Sequence, residues 1–327
     1  MEIFMSPSSH AVSSRKIRLP RDLLKTLATP APGRLLLQTG LEWACIIGLA
    51  WLAIWSDQGA VGLLCMLLIA TRQHALLALM HDYSHYQLSR KRGWLNDLVG
   101  DVFTAFPFFI TIHGFRRNHM LHHRHAWTEH DPNYVASAKK RRYQFPKTRS
   151  QVWLEIAKHT IGWYTLQDLK SYTVDAGMAT GLPRSTVLCR FVFALLLVAT
   201  VAYFDLWRPV LLYWIVPLAT FLMAILYVRD LGEHVGLPAV GFDNSRTMQV
   251  GPLERLLIAQ NGVNFHADHH LFPSVPFFRL GRLHRALMMD PAFRGRAVIT
   301  YGYLTGLITE ISTINQPVAA RGVDHVY

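Results

Sequence analysis

Cysteine is scarce: Cys45, Cys65 and Cys189 are the only three, each inside an apolar run, which excludes a disulfide framework and a Cys-rich zinc motif. Charge is thin as well. Charged residues make up 17% against 51% hydrophobic, too few for a disordered chain or for most soluble domains. Neither an internal repeat nor a low-complexity tract interrupts the 327 residues, so one integral domain is the simplest division. The N-terminal stretch 1–20 carries Ser, Arg and Lys without an apolar h-region, so no cleavable signal is expected.

What is abundant is apolar sequence, with a mean hydropathy of +0.19. Runs of the roughly 20 residues needed to cross a bilayer occur at 35–55, 59–80, 187–204 and 210–228. Glu42 is the sole charge of the first, and Arg72, Gln73 and His74 interrupt the second. Short turns at 56–58 and 205–209 join them pairwise. The parse is therefore an N-terminal segment 1–34, a hairpin 35–80, a long segment 81–186, a second hairpin 187–228 and a C-terminal segment 229–327.

Lys and Arg concentrate in cytoplasmic segments of membrane proteins. Six lie in 1–34, none in the first turn, 15 in 87–184, one in the second turn and nine from Arg229 onward. Both turns are thus expected outside, with both termini and the middle segment in the cytoplasm. This bias, with attraction to anionic lipid, accounts for most of the net charge of +12 and leaves no case for nucleic-acid binding. Residues 98–112, broken by Pro107, and 153–169, with an apolar helical face, read as interfacial rather than spanning. The basic loop 138–149 reads most simply as a solvated patch facing lipid.

Seventeen histidines are the anomaly. Most cluster: His81 with His85, His119 with His122 and His123, and His266 with His269 and His270. Residues three and four apart share a helix face, so each cluster can aim its imidazoles at one point. A structural zinc takes four ligands, whereas eight converging nitrogens argue for two metals of the imidazole-loving kind. At 1.5 Å per residue, a helix from Gly59 carries His81 about 33 Å, just past the hydrocarbon layer. A continuation of the fourth run would bring His234 to a similar height, as a ninth candidate ligand. Asp82, Glu233 and Asp268 adjoin these histidines and are candidates to accept hydrogen bonds from the distal ring nitrogens. His74 reads as structural, His113, His125 and His130 as flanking, and His10, His159, His284 and His325 have no cluster around them.

The order HxxxH, HxxHH, HxxHH resembles the integral-membrane fatty-acid desaturase family, which also holds hydroxylases and carotenoid ketolases. HDYSHYQL, FRRNHMLHHRH ending in Asp131-Pro132-Asn133, RDLGEHVGL and NGVNFHADHHLFPSVPFFRLGRLH all look like bacterial acyl-lipid desaturases. The resemblance covers about His81 to His284, apart from an unlike stretch at 134–223. It implies metal ligation by His81, His85, His119, His122, His123, His266, His269 and His270, with His234 matching its Arg-x-x-x-Glu-His element. It further implies two iron ions, O₂ as co-substrate, and electrons from a ferredoxin or cytochrome b5. No His-Pro-Gly-Gly motif is present, so a fused cytochrome b5 is not expected. Where some animal acyl-CoA desaturases have an Asn holding a metal-bound water, this chain has Asp230, and that role is not carried over.

The expected fold is all-α integral membrane: four transmembrane helices under a cytoplasmic helical cap that carries a histidine-rich di-metal site. The expected reaction introduces a double bond into the acyl chain of a lipid or carrier-linked fatty acid, since an unactivated methylene C–H yields only to a strong oxidant. Phe106, Phe108, Phe109 and aromatics of the second and fourth runs are candidates to line its tunnel. Hydroxylation or ketolation at the same site is the close rival. A metal transporter is the distant one, because transport favours ligands near the midplane of the spans, and these clusters lie beyond the apolar runs.

Overall fold

Backbone groups in hydrocarbon must be satisfied within their own segment, so long apolar runs become helices. The computed structural model describes residues 17–171, 173, 178–237 and 244–313. After a short helix α1 (Arg21–Ala28), helices α2 (Pro32–Ser56) and α3 (Gly59–Ser84) form the first hairpin. Five further α-helices lie before the second hairpin and make up the cap segment: α4 (Gly93–Gly100), α5 (Ile112–His125), α6 (Pro132–Ala138), α7 (Arg149–Thr160) and α8 (Thr165–Lys170). The second hairpin is α9 (Arg184–Tyr203) and a fourth span, Trp207–His234. Among the described residues these four helices are long and apolar enough to cross a membrane, and the integral-membrane helical architecture follows.

The apolar runs predict the spans well and their ends less well. α3 continues through His81 to Ser84, and the fourth span continues to His234. That span is irregular. A π-helical turn, Leu211–Ile215, immediately precedes Pro217, which has no N–H to bond the preceding turn, and the chain breaks again at Thr220 before the last helix, Phe221–His234. Residues 98–112 also do not run straight. A π-turn (Asp101–Ala105) and a 3₁₀ turn (Phe106–Phe108) lead to an 87° bend before α5. The interfacial reading of 153–169 corresponds to α7 and α8, where Trp163 and Leu166 are 72% and 85% exposed.

Polar residues inside the apolar helices are paired across the bundle, as burial in hydrocarbon requires. Arg72 reaches Glu42 at 3.2 Å, Gln73 donates to the Trp214 carbonyl at 2.9 Å, and His74 Nδ1 lies 2.7 Å from Gln260 Oε1. The outer faces of α2 and α9 expose Leu, Ile, Phe and Trp side chains, among them Trp51, Phe191 and Leu196. A lipid-facing surface has that composition. At the other extreme sits a two-stranded parallel sheet, β1 (Arg246–Gln249) and β2 (Val298–Tyr301). Its Arg246 is fully buried, paired with Glu310 at 2.6 Å and donating to the carbonyl of Val235 at 3.2 Å, so it clasps the end of the fourth span.

Candidate metal centre

Nine histidines converge at the end of the bundle where α3 and the fourth span terminate. Their nitrogens form two groups, His81, His85, His119, His123 and His269 in one, and His122, His234, His266 and His270 in the other, with the possible ligand atoms of each within 4.8 Å of one another. α3 contributes His81 and, as its C-cap, His85. α5 contributes three and the helix His266–Leu271 three more, and in each the adjacent histidine pair that ends the HxxHH pattern splits between the groups. His122 and His123 are neighbours in sequence, so their side chains diverge by about 100° around the helix and serve different groups. The geometry thus assembles every histidine singled out from sequence as a candidate ligand.

The spacing of the nitrogens tests the donor set. Nε2 atoms face each other at 3.1 Å for His119 and His85, 2.9 Å for His123 and His119, and 3.0 Å for His123 and His269. In the second group the separations are 3.2 Å for His122 and His270 and 2.8 Å for His266 and His234. Two nitrogens bound at about 2.1 Å and subtending 90° are about 3.0 Å apart, against about 3.4 Å at a tetrahedral angle. Separations of this order suit nitrogens that share an ion, and the five-member group exceeds the four ligands of a closed tetrahedral zinc site.

Tautomers support the same reading. His122 Nδ1 donates to Asp131 Oδ2 at 2.9 Å, and His234 Nδ1 donates to the Asn244 carbonyl at 2.7 Å. Each neutral ring has one N–H, so both Nε2 atoms turn lone pairs inward. Inward lone pairs at such separations suit a shared cation. Burial and neighbouring imidazoles hold His266, His269 and His270 well below the usual histidine range, and burial with the Arg116 charge pushes His85 down to about 3. Neutral imidazole is the form that ligates metal.

The supporting carboxylates differ from those expected. Asp82 lies 3.7 Å from His81 Nδ1 and instead accepts from the Phe277 N–H at 3.0 Å. Glu233 turns to Arg229 at 2.6 Å, leaving His266 Nδ1 at 3.5 Å. Asp268 binds Thr247 at 2.6 Å and His284 at 2.9 Å, fastening its helix to β1 and to the helix Leu280–Leu287 rather than orienting a ligand. The orienting carboxylate is Asp131, the N-cap of α6, which also accepts from the N–H groups of Trp127 and Asn133. Burial alone would raise its pKa, but the bonds from His122, Trp127 and Asn133 hold it below the ordinary carboxylate value. Its sequence signal was an Asp-Pro step, a helix start nine residues beyond His122.

Of the remaining histidines, His74 is structural, bound to Gln260, and His159 stacks on Tyr227 with centroids 4.2 Å apart. His125 and His130 meet each other at 5.6 Å, outside both groups, and His113 belongs to neither. His10 and His325 fall outside the described residues.

An apolar cavity of about 170 Å³ reaches the centre, with His81, His119, His122, His266 and His269 at one wall and Leu77, Phe108, Leu218, Leu222 and Met223 among the others. Aliphatic residues dominate the lining, joined by Phe108, Phe115, Phe265 and Phe277. Of the three phenylalanines singled out from sequence only Phe108 lines it; Phe106 packs on Phe193 at 5.4 Å, and Phe109 is exposed. Asp230 borders the cavity and accepts a hydrogen bond from Tyr143 Oη at 3.1 Å.

The fatty acid desaturase family model matches residues 58–302. Dihydrorhizobitoxine desaturase of Bradyrhizobium elkanii is 28% identical over 242 residues, which are 70% of this chain and 68% of that protein.

Proposed function

Because the chain belongs to the fatty acid desaturase family, an oxidoreductase family, we propose that it is an O₂-dependent di-iron enzyme that introduces a double bond into the acyl chain of a lipid or carrier-linked fatty acid. The observation that carries the proposal is the division of nine imidazoles into two adjoining groups of five and four. Two irons held there would supply, with O₂ and external electrons, an oxidant strong enough to take hydrogen from a methylene C–H.

The chain's own residues do the rest. His81, His85, His119, His123 and His269 would hold one iron, and His122, His234, His266 and His270 the other. Asp131 and the Asn244 carbonyl keep two of those rings in the tautomer that ligates. The apolar walls at Leu77, Phe108 and Leu222 exclude water and restrain a hydrocarbon chain against the histidine wall, which chooses the carbon that reacts. Electrons would come from a ferredoxin or a cytochrome b5-type donor, and the concentration of Lys and Arg in the termini and the middle segment supports a centre on the cytoplasmic side of the inner membrane.

Desaturation is favoured over hydroxylation or ketolation by the relative, whose name is that of a desaturase. Iron analysis of the purified protein, with lipid profiles of an expressing host against an empty-vector control, tests the proposal. Two irons per chain and a product lighter by two mass units are expected, and alanine at His122 or His269 should abolish it. Iron-free protein, or a product that gains oxygen from ¹⁸O₂, would overturn it.

A further inference from the structure

A second cavity, of about 470 Å³, has Trp127 in its wall, and that side chain touches the histidine centre. Its walls include Tyr134, Tyr143 and Phe145, with Arg141 and Lys147 at its edge. The Trp127 indole stacks on the His234 ring, 5.5 Å between centroids and 16° from parallel, while Tyr134 meets it edge-on at 5.4 Å. Trp127 has φ 60, a conformation rarely adopted by a bulky residue, and its N–H is held by Asp131 Oδ2 at 2.8 Å. The carboxylate that orients His122 therefore also fixes this ring. The indole N–H is buried, yet it has no acceptor among the described residues.

The charged residues that line the cavity, Arg141 and Lys147, are both positive, with Glu155 acting on Lys147 from outside it. Asp168 neutralises Lys140 and Arg142, but Lys139, Arg141, Lys147 and Arg149 have no carboxylate at salt-bridge distance among the described residues. A lipid surface would meet such a patch but would make no use of a recessed aromatic cavity in ring contact with a candidate iron ligand. A redox protein would use both, since positive charge steers an acidic partner and electron transfer falls off exponentially with distance.

We propose that this cavity is the docking site of an acidic one-electron donor protein, and that Trp127 is the packed contact through which its electron reaches the centre. The proposal rests on the di-iron reading above. One electron would leave the donor and reduce one ferric ion of those the nine histidines would hold; no bond in this chain would form or break, and Trp127 would end unchanged.

The test is anaerobic stopped-flow reduction of the oxidised, iron-loaded full chain in detergent, using a reduced acidic [2Fe–2S] ferredoxin in one arm and dithionite in the other. The double variant Lys139→Glu, Arg141→Glu should slow reduction by ferredoxin at least tenfold at low salt and flatten its salt dependence, with iron content and the dithionite rate as in the parent. Trp127→Leu should slow the ferredoxin arm by a similar factor at parental iron content, with Trp127→Phe recovering most of the rate. Parental ferredoxin rates in these variants would overturn the proposal. So would a charge variant that is slow only in nanodiscs of anionic lipid, because the patch would then belong to the membrane. Should Trp127→Leu fail to hold iron, the charge variant decides alone. A parent without iron would instead sink the di-iron reading itself, and this proposal with it.

Discussion

Asp131 carries more of the centre than any other residue outside the nine histidines. It accepts from a candidate ligand ring and from two backbone N–H groups, and is itself wholly buried. Asp131→Asn keeps the shape but loses the charge-assisted bond to His122, and loss of such a partner typically weakens metal binding by about 10–100-fold. Retained iron after dialysis against a graded chelator series will measure it. The same rings make the protein sensitive to acid. His85, at about 3, and His266, His269 and His270, well below the ordinary value, are neutral in the folded chain, whereas the unfolded chain protonates its histidines near about 6.5. Between those limits the unfolded state binds more protons, so the stability of metal-free protein is greatest above about pH 6.5 and falls as pH drops toward 3. Thermal melts of chelator-treated protein should show a steady fall in Tm from about pH 7 to 5, and added iron should lose its stabilising effect over the same interval.

At the scale of elements, α5 is decisive because it feeds both histidine groups. Its start is fixed twice: Thr111 Oγ1 accepts from the Gly114 N–H at 3.1 Å, and Asp101 Oδ1 accepts from the Ile112 N–H at 2.6 Å. Gly114 is needed for close approach, since a Cβ there would lie 2.0 Å from the Met178 carbonyl oxygen. Gly114→Ala should therefore push α5 away and cost about 1–3 kcal/mol, with displacement of His119, His122 and His123. Lower Tm together with lower iron content is the expected pair; a change in neither would show that α5 is not held there. None of this was legible in the sequence, where Gly114 is one of 21 glycines and Asp101 lies in a stretch read only as interfacial. For Gly114 the contact that matters is with Met178, 64 residues on, and for Asp101 it depends on the sharp bend that returns the chain to Ile112.

For the whole molecule, charge and hydropathy act together. Both hairpin turns lie at the end opposite the histidines, and the first has no Lys or Arg while the second has only Arg208. A reporter that fluoresces only in the cytoplasm should therefore be bright when fused at either terminus and dark when inserted at 57–58. The lipid product belongs to this scale as well, since it needs span, cavity and centre in one piece. Replacing Leu222, on the cavity wall, by Trp should shift or abolish the preferred acyl chain length with iron content unchanged, read by mass spectrometry of host lipids.

Composition and periodicity alone determined four spans, their pairing into hairpins, and nine histidines placed to meet at one end, because both hydropathy and helical spacing are local properties. The tertiary structure decided how those nine divide, five and four, since His122 and His123 part company only when helices from distant segments stand on either side of them. It also made Asp131, and none of the three carboxylates beside the histidines, the one that orients a candidate ligand ring. Which oxygen or ring faces a given nitrogen depends on packing angles between helices, and no sequence spacing encodes them.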